Sequence, residues 1–536
     1  MTITFSDLVA ITSGKVIRCD SPDWPIDHLL TDSRKVVPSQ GAVFFAIKGV
    51  RHNAHEYIQP LISEGIHQFV LEEDVDLPDT SNLNVIKVDS SLEALQKLAT
   101  YQRANFDIPV VGITGSNGKT IVKEWLAQLL NPHLAVLKSP GSYNSQVGVP
   151  LSVWRLSDNH QMAIFEAGIS RSGEMAKLAK IIRPSIGIFT TIGAAHDEGF
   201  ENREQKIKEK AQLFTNSDRV IYCKDYEEID AELRDKSFTW GKDPNSHIVI
   251  SNQKNIDGKT HLELYYNSPL KFILPFTHSA SVENAMHCIA FMLLRGFAQE
   301  VIQEGLNALK NLKMRLELKR GLNGCLIIDD TYNSDLGGLQ VALDFLTSQK
   351  QLKNKTLIIS DLLQTGLSKE ALYESIGKQL KAASLYKVIT IGPEISAHLS
   401  KELITKSYTS TEQFLAEHDL STFDQELILV KGARFFKLEQ IVRKLEDKIH
   451  GTHLEINLDA LTHNLNFYRS KIKPGSKLMV MVKAFAYGSG SMEIANLLQY
   501  HRVDYLGVAY ADEGVTLRRN GIHLPIMVMN PTEESF

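Results

Sequence analysis

Apolar and polar positions change texture several times along the chain. Residues 1 to 100 mix short apolar runs (Ala42 to Ile47, Gln68 to Leu71, Val85 to Val88) with turn clusters such as Asp20-Ser21-Pro22 and Pro38-Ser39-Gln40-Gly41. That mixture predicts a small α/β unit. From Pro109, apolar runs alternate with helical stretches: Val110 to Ile113, Ala163 to Phe165, Ile186 to Thr190 and Val220 to Cys223. Buried parallel strands joined by crossover helices give this pattern. Ser279 to Arg295 has helical apolar spacing, and a third alternation follows over Cys325 to Ile328, Thr356 to Ile359, Val388 to Ile391 and Leu427 to Val430. It predicts a second, smaller doubly wound sheet.

A charged helix over Leu438 to Ile449 is expected to stop at His450-Gly451, since glycine ends helices readily. Beyond it the pattern predicts a strand Leu454 to Leu458, a helix from Asp459, a strand Lys477 to Val482, a helix, and a strand Tyr505 to Val508. The expected units are therefore 1–100, 101–312, 313–450 and 452–536, all of α/β class.

Composition narrows the functions. At 536 residues the chain is long enough for several domains. Its 58 Lys+Arg against 63 Asp+Glu leave a net charge of -5, too balanced to suggest a general nucleic-acid binder or a membrane-surface protein. No run approaches the roughly 20 apolar residues of a membrane span, and Met1 to Cys19 lacks the order of a signal peptide. Cys19, Cys223, Cys288 and Cys325 are scattered without paired spacing, as in a reducing compartment. A cytoplasmic location is the expectation.

The run Val110 to Ile113 leads into Thr114-Gly115-Ser116-Asn117-Gly118-Lys119-Thr120, and Ile121, Trp125 and Leu129 then follow at helical spacing. Strand, glycine loop and helix in this order form a phosphate cradle. The backbone wraps the anion, the helix N-terminus offers free N–H groups, the lysine neutralises terminal phosphates, and the threonine hydroxyl reaches a magnesium ion. Gly115, Ser116, Asn117, Gly118, Lys119 and Thr120 are accordingly expected to bind nucleotide. The strict P-loop spacing asks for glycine at position 113, where this chain has isoleucine.

The shortened loop resembles the ATP site of the Mur ligases, which build the peptide stem of the bacterial cell-wall precursor. Further segments agree in order: Asp32-Ser33-Arg34 with Phe44 to Gly49 and His55, Asn144 to Pro150, Phe165-Glu166-Ala167-Gly168, Ala195-His196, Asp329 to Asn333, and Val430 to Arg434. The resemblance covers residues 1 to about 450. It implies a UDP-sugar domain, a central P-loop ATPase domain and a Rossmann-like C-terminal domain. Within the family, Asp329 to Asn333 and Asp32-Ser33-Arg34 most resemble members joining D-alanyl-D-alanine to UDP-N-acetylmuramoyl-tripeptide. Folate polyglutamate ligases share the ATP motifs but are not expected to carry a UDP-sugar unit.

Such chemistry turns a carboxylate into an acyl phosphate that an amine attacks, so phosphate clamps and metal ions matter more than a nucleophilic side chain. Lys119 would hold the β and γ phosphates, and Thr120 and Glu166 one magnesium. Glu166 ends the run Ala163 to Phe165, where open α/β sheets place ligands; a solvated strand-end carboxylate is the alternative.

The resemblance assigns His196 to a second metal site and matches Lys210 to a lysine that the family carbamylates. Against this, Lys206, Lys208 and Lys210 also read as a plain charged helix face, and Gln212 stands where the family usually has glutamate. The resemblance further implies that Asn284 contacts adenine, Arg315 the phosphates after domain closure, Asp330 the ribose, and Asn333 the same nucleotide. Ser33 and Arg34 would bind the UDP-sugar. Lys431 and Arg434 are candidates for a peptide carboxylate or a phosphate, or simply solvated charges. Leu336 replaces the family's proline.

Residues beyond 451 differ. Leu454 to Leu461, His463-Asn464 and Val482-Lys483-Ala484-Phe485-Ala486-Tyr487-Gly488-Ser489-Gly490 resemble the opening of an alanine racemase. In that family the lysine matching Lys483 holds pyridoxal phosphate covalently, the tyrosine matching Tyr487 approaches its phosphate, and the domain dimerizes. A full racemase needs a (β/α)₈ barrel of about 250 residues, and about three βα units precede Phe536. The expectation is an incomplete barrel start, the N-terminal portion of a ligase–racemase fusion without racemization of its own. The rival readings are a sister ligase adding a single amino acid and a nucleotide-binding scaffold for the racemase.

Overall fold

Four β-sheets, each with its own helices, follow one another along the chain in a computed structural model that describes residues 2–33, 39–49, 53–79, 82–193, 200–309, 317–331, 336–349, 351–362, 367–447, 456–473, 476–488 and 490–531. The first sheet runs, in spatial order, Lys15–Cys19, Asn84–Lys87, Gln68–Leu71, Ala42–Phe45, His28–Leu30. Only its Lys15–Cys19 edge is antiparallel. The runs of Ala42–Phe45 and Gln68–Leu71 are buried on both faces, which explains their unbroken apolar character.

The second sheet carries the glycine loop. Its parallel strands lie in the order Ile248–Ile256, Ser237–Gly241, Arg219–Cys223, Ile186–Phe189, Val110–Thr114, Met162–Glu166, Val136–Lys138. Lys259–Tyr266 and Ser268–Leu274 extend the Ile248–Ile256 edge as an antiparallel meander that the sequence reading did not anticipate. The loop helix, Lys119–Leu130, buries Val122, Trp125, Leu126 and Leu129. Trp125 stacks on Phe276 at 4.7 Å between ring centres. The helix Ser279–Leu294 packs against it almost wholly buried, as its apolar spacing predicts.

The third sheet orders Glu317–Arg320, Leu326–Asp330, Glu426–Lys431, Asn354–Ser360, Lys387–Ile391, Lys406–Tyr408. All its pairings are parallel except that of Glu317–Arg320. The charged helix is shorter than expected, Glu439–Leu445.

The fourth sheet has three parallel strands among the described residues, Met479–Met481, Tyr505–Val508 and Ile526–Val528. The expected strand Leu454 to Leu458 is corrected. Its described part, from residue 456, holds no strand, because the Asn457 side chain accepts from the Ala460 amide and Leu458 opens the helix Leu458–Lys471. Among the described residues no helix is long and apolar enough to cross a membrane.

Candidate functional site

The glycine loop hangs between the end of Val110–Thr114 and the start of Lys119–Leu130. Gly115 (φ 140°) and Gly118 (φ 84°) take backbone conformations that side chains resist. Space forbids larger residues too. A Cβ at Gly115 would lie 2.0 Å from Thr190 Oγ1, and one at Gly118 2.3 Å from Asn284 Oδ1. Thr190, at the end of the neighbouring strand, donates to Asn117 O at 2.5 Å. The Ser116 amide donates to Thr191 O at 2.7 Å, and the Gly193 amide donates to Ser116 Oγ at 3.0 Å. The loop is thus stitched to the strand beside it, with its helix N-terminus open to an anion.

Lys119 folds back over this loop, its ammonium donating to Gly115 O (2.8 Å) and Ser116 O (3.0 Å). One residue on, Thr120 Oγ1 donates to Glu166 Oε2 at 2.8 Å. Glu166 is fully buried at the end of Met162–Glu166, and its Oε1 accepts no hydrogen bond. A buried carboxylate with one oxygen that accepts no hydrogen bond, beside a threonine hydroxyl, fits a hard divalent cation such as magnesium, which takes few protein ligands and keeps phosphate and water oxygens. Among the described residues no cluster of three His, Cys, Asp or Glu offers a metal cage.

Two groups that the sequence reading missed support Glu166. Lys123, a turn after Lys119 and fully buried, donates to Ser139 O at 2.8 Å and to Gly141 O, and its ammonium lies 3.8 Å from Glu166 Oε1. Ser139 Oγ accepts from the Glu166 amide at 3.4 Å. A lysine on the apolar face of an amphipathic helix was the legible signal. Thr190 gave none beyond its place at a strand end.

The helix Arg203–Ala211 separates its lysines. Lys206 and Lys210, four residues apart, are 1% and 2% exposed, while Lys208 pairs with Glu204 in solvent. Lys206 donates to Gly193 O at 2.6 Å and Lys210 to Gly115 O at 3.3 Å. A plain charged face is therefore not what forms. Gln212 donates to Glu209 Oε2, and Glu209 Oε1 in turn accepts from the Gly173 amide at the start of Glu174–Ile182. His196 lies outside the described residues, as do Arg34, Arg315 and Asn333.

Asn284, 5% exposed, is brought against Gly118 by Ser279–Leu294. Its neighbour Glu283 accepts from Tyr226 OH at 3.2 Å, and burial pushes this carboxyl up to about 7. In the third sheet, Asp330 and Lys431 are register partners on adjacent strands and form a buried ion pair of 2.6 Å. Sequence reasoning treated them as separate ligand contacts. Arg434 and Phe435 are exposed just beyond, Phe435 at 76%. Leu336 opens the helix Leu336–Ser348.

In the first sheet's unit, Ser33 is half-buried. His55 serves the fold: Nε2 accepts from the Glu72 amide at 2.9 Å and Nδ1 faces Asn53 Oδ1 at 2.7 Å, so the proton sits on Nδ1, and burial lowers its pKa. In the fourth sheet's unit, Lys483 opens a left-handed turn, with φ between 50° and 58° from Ala484 to Tyr487. Its amine lies 6.0 Å from the exposed Tyr487 ring. Glu513 holds that turn by accepting from the Ala484 amide at 2.7 Å.

Residues 113–292 match the Mur ligase middle domain, 314–434 the Mur ligase, glutamate ligase domain, and 456–536 the alanine racemase, N-terminal domain. The UDP-N-acetylmuramoyl-tripeptide--D-alanyl-D-alanine ligase of Rickettsia prowazekii is 30% identical over 419 residues, 75% of this chain and 92% of that protein. A crystal structure of MurF from Acinetobacter baumannii superposes with a TM-score of 0.72 at 25% identity, covering 84% of this chain and 99% of that one. The MurF ligase of Thermotoga maritima in complex with ADP gives a TM-score of 0.66 at 25% identity, with 78% and 96% covered.

Proposed function

The chain belongs to the Mur ligase family, and from that premise we propose that residues 1 to about 450 join D-alanyl-D-alanine to UDP-N-acetylmuramoyl-tripeptide, coupled to cleavage of ATP to ADP and phosphate. The observation that supports this reading is the pairing of Thr120, on the glycine loop, with a fully buried Glu166 at a strand end, whose second oxygen accepts no hydrogen bond and has the Lys123 ammonium 3.8 Å away.

The tripeptide carboxylate attacks the γ phosphorus, ADP departs, and an acyl phosphate remains. The dipeptide amine then attacks the acyl carbon, phosphate leaves with the C–O electron pair, and the amine's proton passes to solvent. Lys119 exchanges its present carbonyl partners for the β and γ phosphate oxygens, while the loop amides hold the same anion from below. Thr120 and Glu166 would hold the magnesium ion, which neutralises charge on the transferring phosphoryl group. Lys210, carbamylated, and His196 would hold a second ion.

Asn284 would contact adenine, with Asp330 on the ribose and Arg315 and Asn333 on the same nucleotide. Lys431 orients Asp330 through their ion pair, and Arg434 would bind the peptide carboxylate or a phosphate. Ser33 and Arg34 would bind the UDP-sugar. In a complete racemase module, Lys483 and Tyr487 would hold pyridoxal phosphate, whose ring acts as an electron sink when bound.

Tripeptide carrying oxygen-18 in its terminal carboxylate tests the route. One labelled oxygen should appear in the released phosphate, as acyl phosphate formation requires, and unlabelled phosphate would refute it.

A further inference from the structure

Trp154 belongs to the central unit by sequence, directly after the short helix Gly148–Val153, yet it is only 6% exposed because its indole joins the apolar cluster of the first sheet with Ile3, Ile26 and Val43. Its Nε1 donates to Asp27 O at 3.0 Å. The same residue receives a third partner from the far end of the chain, for Arg502 donates to Trp154 O at 3.1 Å. Beside it the Arg155 guanidinium lies 4.7 Å over the Tyr500 ring, and His160 meets His523 edge to face at 6.1 Å. Gly521 fits against Asn131 so closely that a Cβ there would come within 2.6 Å of Nδ2. These contacts border a cleft of about 1250 Å³ to which all three units contribute.

We propose that residues 456–531 are a fixed buttress of the ligase, seating Arg502 and Tyr500 on the Trp154–Arg155 turn and thereby setting how the unit of the first sheet is held on the central unit. Three arguments support it. The contacts are directional, with a guanidinium on a carbonyl and a cation over an aromatic face, rather than loose surface apposition. Arg502 is brought near the half-buried Asp27, whose carboxylate opposes the guanidinium's loss of solvation. And one residue, Trp154, joins both neighbours, so loosening its carbonyl side also loosens its indole side.

Under the function proposed above, on which the substrate part of this inference rests, the first sheet's unit holds the UDP-sugar. Weakening the buttress therefore raises KM for the nucleotide-sugar peptide and leaves KM for ATP unchanged. The docking itself is tested without turnover, by hydrogen–deuterium exchange on the full chain and its Arg502→Ala and Arg155→Ala variants, one from each side of the seam. Both variants should exchange at least tenfold faster over residues 25–29 and 150–160, with residues 110–122 unchanged and the strands at 479–481 and 505–508 still protected. Unchanged exchange at 25–29 and 150–160 in Arg155→Ala overturns the proposal. So does faster exchange confined to Arg502→Ala together with loss of protection at 479–481 and 505–508. Because exchange needs no substrate, a chain that ligates nothing would sink the function and leave this result standing.

Discussion

Thr120 Oγ1 gives its hydrogen to Glu166 Oε2 across 2.8 Å, while Glu166 Oε1 accepts no hydrogen bond and has the Lys123 ammonium 3.8 Å away. Under the proposed function the pair would hold a cation whose remaining oxygens come from ligand and water. Glu166→Gln keeps the shape and removes the charge. It should raise the magnesium concentration for half-maximal activity at least about tenfold and lower kcat/KM by on the order of 10². A magnesium titration of phosphate release checks both, and an unchanged titration curve contradicts the assignment.

Lys119→Ala removes the ammonium that now rests on the loop carbonyls of Gly115 and Ser116. Turnover should fall by on the order of 10² or more, the size of other lost transition-state contacts. Steady-state kinetics on a variant with unaltered circular dichroism decides the matter.

Lys123→Met tests the support behind the carboxylate. The change strips Ser139 O and Gly141 O of a buried donor and leaves Glu124 and Glu166 without the ammonium that lies 3.2 Å and 3.8 Å from them. Breaking a buried charge contact from one side costs on the order of 3 kcal/mol. The urea midpoint of the central unit should drop accordingly, and a midpoint equal to wild type would mean the lysine carries no structural load.

Glu283 supplies a pH dependence. Burial raises its carboxyl from 4.5 to about 7, the Tyr226 hydroxyl opposing this and Asp225 adding to it. Below the unfolded value both states are protonated and there is no penalty. As pH rises toward about 7 the unfolded chain ionises first, so this group's stabilising contribution is lost across that window. Wild type should lose on the order of 3 kcal/mol relative to Glu283→Gln between about pH 5 and about pH 8. Urea unfolding of both proteins at the two pH values measures it, and a pH-independent difference contradicts it.

What the sequence revealed and what it concealed follow from the same physics. Parallel strands buried on both faces, such as Val110–Thr114, announce themselves as apolar runs, and the glycine loop after it was legible in full. The meander strand Lys259–Tyr266 buries alternate residues only, so a search for continuous apolar runs passed over it. The alternation over Leu454 to Leu458 predicts a strand, but in its described part, from residue 456, Asn457 is a helix cap. Lys206, Lys208 and Lys210 left a charged surface open as an alternative to the role the resemblance gives Lys210, although the four-residue spacing of Lys206 and Lys210 puts those two on one face, which is buried. The Asp330–Lys431 pair was beyond reach, since it depends on two strands a hundred residues apart becoming neighbours.

The most direct test of the account is the product. Incubated with ATP, magnesium and UDP-N-acetylmuramoyl-tripeptide, the full chain should convert D-alanyl-D-alanine, read by mass spectrometry, into a species heavier than the tripeptide by the dipeptide less one water, with one phosphate released per product. Product with L-lysine or diaminopimelate instead of the dipeptide, or none with any amine, would contradict it.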